Sequence, residues 1–501
     1  MTNHKPLRLG DVLLARKLVT YDGLEAALER QRHEGGRLGD NLIALGLMST
    51  EQLAAVLEQT PATPLRVDET GISRASLLAL MLKFMRTESM ETLPALSAAM
   101  KLSSAVLADL MEGATTQRLV EVLGSVPHGF GTTMRYTLSD LGRHAAAEAL
   151  AQTQYVGPAP VSLAAYQARV RQQAITNENL TEASIADGFA GLNVPSNFVR
   201  KLLPAIRAGR TALLYGPPGN GKTSIGTRIA RLFRDMIYIP HAIEVSGQII
   251  KVFDPELHRP YQNEEDTVAL SSGNGLLLET FDPRWVACRR PVAMAGGEMT
   301  LDMLDLGFDP VSNVYDAPLH MKALNGLFLI DDFGRQQVKP TDLLNRWIVP
   351  LESRIDYLKL NTGNSFQIPF DELVVLSTNL DPSDLMDPAF LRRIPYKIEM
   401  LGPTEGDYRR VFEAMAAARG LAVSAGVLDH IIRRLGEKEY ALAYFQPNFL
   451  CEQVYNLCAC FGLPPVFTTE LADEALENLY VDLKIPPKAP EPPVLPQIRA
   501  A

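Results

Sequence analysis

The sequence predicts a multidomain protein: a small all-α domain built on a repeat, a helical middle domain, and an α/β core followed by an α-helical lid. Three observations predict it. Residues 8–14, RLGDVLL, return as RLGDNLI at 37–43. A glycine-rich stretch at 213–224, LLYGPPGNGKTS, lies between an apolar run and a segment with helical spacing of apolar residues. Beyond it, short apolar runs ending in polar residues alternate with helical patterns to about residue 484.

At 501 residues the chain is long enough for about three domains. Its 47% hydrophobic and 21% charged content supplies apolar mass for several cores. The net charge of −10 disfavours a protein that coats nucleic acid or an anionic membrane, because such binding needs a local excess of Lys and Arg. Cys288, Cys451, Cys458 and Cys460 form no CxxC pair and have no His at metal spacing, which points to reduced thiols rather than a zinc site. No basic-then-apolar leader and no run of about 18 apolar residues is present. The expectation is a cytoplasmic protein without membrane insertion.

The repeat has a period of 29, with copies at 8–31 and 37–60 of an N-terminal segment spanning 1–60. Leu24 and Leu28, like Leu53 and Leu57, recur at i, i+4 on one helix face, and Thr20 and Ser49 stand where N-caps belong. Each copy is too small for its own core, so the two should pack together. The leucines read most simply as core. The paired Arg and Gly also suit a ligand, since glycine permits close backbone approach and guanidinium pairs with phosphate or stacks on a base. Two such units match a pseudo-symmetric ligand.

This pattern resembles the N-terminal domain of type II secretion and type IV pilus ATPases of the GspE/MshE kind, a subset of which binds cyclic di-GMP through the duplicated motif. The resemblance implies cyclic di-GMP contacts at Arg8, Leu9, Gly10 and Gln31 in the first copy and Arg37, Leu38 and Gly39 in the second. The copies differ at Lys17/Gly46 and Gln31/Thr60. A purely structural or partner-docking helical module fits the same residues.

Residues 61–71, with Pro61 and Pro64 in a polar run, read as a linker. Residues 72–150 read as a winged-helix-like domain: SLLALMLKFMR, ETLPALSAAMK and SSAVLADLMEGATTQ as three helices, then RLVEVLG and RYTLSDLGRHA as wing strands and closing helix. Many bacterial transcription regulators share this layout. The charges speak against DNA. Residues 103–117 carry Asp109 and Glu112 and no basic residue, whereas a recognition helix needs Lys or Arg for phosphates. Residues 151–185 form a connector, and the Pro-rich tail at 485–501 should be extended or disordered.

The core is expected over 186–402 and the lid over 403–484. Gly216, Gly219, Gly221, Lys222 and Thr223 fit GxxxxGK[ST], a P-loop, with Pro217, Pro218, Asn220 and Ser224 completing the stretch. Its glycines let backbone N–H groups wrap phosphates, Lys222 reaches the β/γ oxygens of ATP, and the Thr223 hydroxyl ligates Mg²⁺. GLFLIDDFGR (326–335) is a buried strand ending in two carboxylates. Asp331 would hold Mg²⁺ through water and Asp332 would polarise the attacking water. Asn379 ends the apolar run LVVLSTNL and is placed to orient that water. Arg392 and Arg393, far along the chain, suit a finger that stabilises transition-state charge in a neighbouring subunit's site.

This order resembles an AAA+ ATPase over roughly residues 186–484, which implies a hexameric ring with sites at subunit interfaces. YLKLNTGNSFQIPF (357–370) alternates apolar and polar residues around a turn signal, a hairpin that MoxR-like and Mg-chelatase-like branches carry. Three features depart from the family. Most relatives carry Glu where Asp332 stands, which leaves slow hydrolysis open. Gln446 and Asn448 occupy the lid region where many relatives place a nucleotide-contacting Arg. Lys222 and Asp331 are 109 residues apart, which suggests an insertion at about 240–320.

The expectation is an ATP- and Mg²⁺-dependent AAA+ ATPase that remodels or assembles a protein partner, with cyclic di-GMP as effector. By the same resemblance it would work at the inner face of a membrane-bound machine. A DNA-binding regulator using the winged helix and a non-catalytic, ATP-dependent assembly scaffold remain open alternatives.

Overall fold

Each copy of the repeat folds into a helical pair: α1 (Leu9–Ala15) with α2 (Tyr21–Glu34), and α3 (Leu38–Ala44) with α4 (Thr50–Glu58). The computed structural model describes residues 9–479 except 17, 129–130, 179, 181, 191–195, 234 and 262–280. Thr20 and Ser49 cap α2 and α4, accepting from Gly23 N at 3.2 Å and Gln52 N at 3.1 Å. Gln52 Oε1 in turn accepts from Ser49 N at 2.9 Å, closing a capping box. Leu9, Val12, Leu13 and Leu24 of one copy and Leu38, Leu42 and Val56 of the other are buried in a single apolar cluster, which also takes in Tyr238 and Trp285.

The repeated glycines have a packing cause. A Cβ on Gly10 would meet Leu24 at 3.1 Å, and one on Gly39 would meet Leu53 at 2.6 Å. Leu24 and Leu53 are themselves equivalent positions of the repeat. Each glycine therefore lets the first helix of its pair close on the leucine of the second.

Residues 61–71, expected as a linker, are fastened at several points. Arg284 and Asp282 form a buried pair at 2.8 Å. Arg284 also donates to Thr70 O at 2.9 Å and Pro160 O at 3.2 Å, while Asp282 N donates to Pro61 O at 3.0 Å. A buried guanidinium needs several acceptors, and Arg284 finds them in the Asp282 carboxylate, Thr70 O of this segment and Pro160 O.

The middle region has helices Arg74–Thr87, Leu93–Met100 and Ser104–Thr116, an antiparallel hairpin of Val120–His128 with Gly131–Leu138, and a helix Asp140–Gln152. Leu77, Met81, Phe84, Leu96, Leu107 and Leu110 fill its core. Asp109, on the third helix, is paired with Arg74 at 2.8 Å.

The α/β core is a five-stranded, all-parallel sheet of β1 (Ala212–Tyr215), β2 (Val292–Ala295), β3 (Leu327–Ile330), β4 (Leu373–Thr378) and β5 (Tyr396–Glu399), in spatial order β5-β1-β4-β3-β2. Every residue of β3 and β4 is buried, as a parallel strand covered on both faces requires. The expected insertion at about 240–320 needs correction. Val292–Ala295 is a strand of the core sheet, hidden in the sequence because VAMA is short and half alanine. Other parts of the span, Ala242–Val245, Gln248–Lys251, Gly307–Asp309 and Val314–Asp316, build a second five-stranded sheet with Val161–Ser162 from the connector. The expected hairpin is present as Ile355–Lys359 with Ser365–Pro369, burying Leu358, Phe366 and Ile368.

The chain divides into two compact units: Met1–Gly216 with Lys222–Glu399, and Met400–Ala501 with Pro217–Gly221. The N-terminal module and middle region thus cluster with the α/β core. The second unit packs helices Glu405–Ala418, Val427–Glu437, Phe445–Phe461 and Thr469–Leu479 around Tyr408, Phe412, Leu450, Val454 and Phe467. No single helix among the described residues is long and apolar enough to cross a membrane.

Candidate nucleotide site

Strand β1 delivers the loop Gly216–Gly221, and helix Lys222–Ile229 follows it at once. Gly219 and Gly221 have φ of +78° and +80°, a region that side chains disfavour. Gly226 brings the helix onto β3, since a Cβ there would lie 2.8 Å from Leu329.

Lys222 is buried, and its Nζ donates to Gly216 O at 2.8 Å, bridging the loop. Burial lowers its pKa, while the charges of Asp332 and Asp331 oppose that shift. Thr223 Oγ1 donates to Asp331 Oδ2 at 2.7 Å. Asn379, just past the end of β4, donates from Nδ2 to Asp332 Oδ1 at 3.1 Å. Lys222, Thr223, Asp331, Asp332 and Asn379, from separate stretches of sequence, therefore meet beyond the C-terminal ends of the interior strands β1, β4 and β3. Ser224 follows in the helix, with its carbonyl accepting from Thr227 Oγ1 at 2.9 Å.

Asp332 has φ of +49°, a left-handed conformation costly for a non-glycine residue. Its surroundings hold it there. Asp331 N donates to Ala295 O at 2.9 Å, Phe333 N to Ser377 O at 2.6 Å, and Thr378 Oγ1 to Phe333 O at 2.7 Å. Gln336 clamps the same turn, donating to Asp331 O at 2.7 Å and accepting from Gly334 N at 2.8 Å. Sequence reasoning passed over Thr378 and Gln336. Thr378 carried a signal, a polar residue closing an apolar strand. Gln336 carried none.

The residues present fit a magnesium–nucleotide complex. Lys222 supplies a buried cation, and the Thr223 hydroxyl faces a carboxylate, a donor set of hard oxygens suited to Mg²⁺.

The tip of the loop, Pro217–Gly221, packs within the second unit. Phe445 N donates to Gly219 O at 3.0 Å, and Asn220 is buried with Oδ1 accepting from Tyr444 N at 3.4 Å. Pro217 and Pro218 are exposed. Gln446 ties the start of its helix to the preceding loop, donating to Ala441 O at 2.9 Å and accepting from Ala443 N at 3.0 Å. Asn448 accepts from Arg419 at 2.6 Å. Neither side chain takes the part of a nucleotide-facing arginine.

The two candidate finger residues differ. Arg393 is paired with Glu352 and stacks over Phe390 at 5.3 Å. Arg392 is exposed and makes no hydrogen bond or ion pair among the described residues. Neither is bonded to Asp331, Asp332 or Asn379. Both line a surface cavity of about 650 Å³ together with Arg210 and Glu352.

In the N-terminal module the residues singled out by resemblance separate. Leu9 and Leu38 are 1% and 4% exposed, with their side chains in the core. Gly10 and Gly39 are buried against Leu24 and Leu53. Gln31 is buried and donates to Gly36 O at 3.0 Å. Thr60, at its equivalent position, donates to Leu57 O at 2.9 Å. Arg37 is exposed at the start of α3. Arg8 and Lys17 lie outside the described residues.

Residues 404–478 match a family model described as a domain of unknown function, DUF8689. No curated protein matches the chain. Among solved structures, the chain is similar to the RuvB Holliday junction branch migration motor of Thermotoga maritima, at 15% identity over 58% of this chain and 70% of that one, with a TM-score of 0.32. It is also similar to NtrX from Brucella abortus, at 12% identity over 58% of this chain and 56% of that one, with a TM-score of 0.35. Likenesses this distant say nothing of activity.

Proposed function

We propose that this chain is a P-loop ATPase of the AAA+ type that uses ATP and Mg²⁺ to remodel or assemble a protein partner. The observation that carries the reading is the linked set Thr223–Asp331 and Asp332–Asn379 beside a buried Lys222. In this reading Gly216–Ser224 bind the triphosphate, and Thr223 and Asp331 hold the metal. The metal supplies neutralisation of phosphate charge when bound. Asp332 takes the proton of the attacking water, and Asn379 fixes the carboxylate that does so. A strained, multiply bonded Asp332 is pre-aimed, which offsets the reach lost by using Asp in place of Glu.

Arg392 acts as the finger across a ring interface. It is favoured over Arg393 because it has no carboxylate partner among the described residues, whereas Arg393 is paired with Glu352. The helix–hairpin–helix middle region serves as a winged-helix docking surface for protein, supported by its equal numbers of basic and acidic residues and by the commitment of Asp109 to Arg74. Regulation by cyclic di-GMP through the repeat remains part of the proposal, supported by the duplicated motif and the exposure of Arg37.

Steady-state ATP turnover by the full chain, with its mass in the presence of ATP, tests the proposal. Turnover lost in Lys222→Ala, together with an ATP-dependent ring, is expected. A chain that binds ATP and assembles without turning it over would instead favour the scaffold reading.

A further inference from the structure

We propose that the pocket between the N-terminal helical module and the strand Met236–Pro240 binds a small organic oxyanion, carrying a phosphate or a carboxylate. The pocket has a volume of about 590 Å³, within the roughly 300–1,000 Å³ usual for small-molecule sites. All its lining residues belong to one compact unit, and none belongs to the P-loop or the acidic strand.

Tyr238 is the feature that points to a ligand. It is 3% exposed, lines the pocket, and its hydroxyl has no hydrogen-bond partner among the described residues. A buried hydroxyl left unmatched is destabilising, and a native fold that keeps one needs a reason. Burial pushes Tyr238 up to about 12, so it stays an O–H donor at neutral pH, and the charges of Arg16 and Arg169 act on that same group.

Both arginines line the pocket, and neither is paired with a carboxylate among the described residues. Among the described residues the Arg16 side chain donates only to the neutral amide of Gln59. Arg169 donates to Gln59 O at 2.6 Å and lies over the rings of Tyr238 and Trp285 at 5.7 and 5.9 Å. The third guanidinium, Arg290, is committed to Glu178 at 2.7 Å. The one carboxylate on the lining is Asp235, whose pKa burial raises and the charges of Arg290 and Arg16 lower; it makes no ion pair with either arginine at contact distance. Two guanidiniums with no carboxylate hydrogen-bonded to them among the described residues stand beside a lone phenolic donor, an arrangement of donors that recognises an oxyanion. Arg16 follows α1 and Gln59 follows α4, so a ligand held here ties the repeat module to the body that carries the ATP site.

The test uses full-length Lys222→Ala, which removes phosphate binding at the nucleotide loop. Its calorimetry and melting are followed with inorganic phosphate, ribose 5-phosphate and citrate. At least one probe is expected to bind saturably and raise Tm, and the phosphate and citrate arms separate the two sources of the anion. Tyr238→Phe and Arg16→Gln should each weaken that binding by about tenfold. Tyr238→Phe should keep or raise the Tm of the free protein, because it deletes an unmatched hydroxyl, so lost binding is not lost folding. No saturable binding by any probe, or binding that survives both substitutions, overturns the proposal.

Discussion

Thr223 Oγ1 donates to Asp331 Oδ2 across 2.7 Å, joining the helix after the glycine-rich loop to the end of β3. The sheet order makes this contact available: β4 separates β1 from β3, and its terminal Asn379 holds the next carboxylate, Asp332.

Asp332 stands in a left-handed conformation that a glycine would adopt without cost. Asp332→Gly should therefore fold at least as stably as the parent, with a gain of up to about 1 kcal/mol, while losing ATP turnover. Thermal melting and turnover on the same samples check this. A destabilised variant would mean the side chain contributes more to folding than its bond to Asn379 suggests.

The arginine pair should separate in kinetics. Arg392→Ala is expected to lower kcat by about 10³-fold, as for loss of a finger, with ATP affinity unchanged. Arg393→Ala removes an exposed pair with Glu352 and should cost about 1 kcal/mol or less in stability. Equal kinetic effects from both would remove the distinction drawn from their pairing.

Glu372 lies fully buried at the foot of β4, and neither carboxyl oxygen has a hydrogen-bond partner among the described residues. Burial holds its pKa well above the ordinary 4.5, assisted by Asp356 and Asp371 and opposed by Arg354. The folded state thus keeps a proton that the unfolded chain has released. The resulting stability is complete below 4.5 and is lost progressively as pH rises toward the folded value. Glu372→Gln should flatten this dependence, so its advantage in urea midpoint over the parent grows from pH 5 to pH 8. Parallel pH curves for the two proteins would contradict the assignment.

Gly39→Ala should destabilise more than Gly10→Ala, because the added methyl meets Leu53 at 2.6 Å in one case and Leu24 at 3.1 Å in the other. A cost of about 1–3 kcal/mol is expected for the first, read from the denaturation of the full chain. Leu53→Ala in the same chain should restore part of it by making room.

What the sequence disclosed divides along physical lines. The glycine-rich loop between β1 and its helix was legible because its turn needs glycines at fixed spacing. LFLI and LVVLST were legible because a doubly covered parallel strand is continuously apolar. The hairpin at 355–369 was legible from alternation. Val292–Ala295 was not, since two alanines in four residues carry little pattern. The pairing of Val161–Ser162 with Ile243–Glu244 joins segments about 80 residues apart and leaves no local trace. The anchoring of residues 61–71 by Arg284 was equally hidden, because a long-range buried charge has no sequence period. The repeat was seen, but its glycines read as ligand approach when their local cause is packing against Leu24 and Leu53.

The most direct test of the central claim is a double-substitution cycle on ATP turnover with Thr223→Ala and Asp331→Asn. If the two hold one metal–nucleotide complex, each alone should lower kcat by about 10²-fold or more, and the double variant should lose little beyond the worse single one. Turnover that survives Asp331→Asn, or losses that simply add, would contradict a shared role for the hydroxyl and the carboxylate.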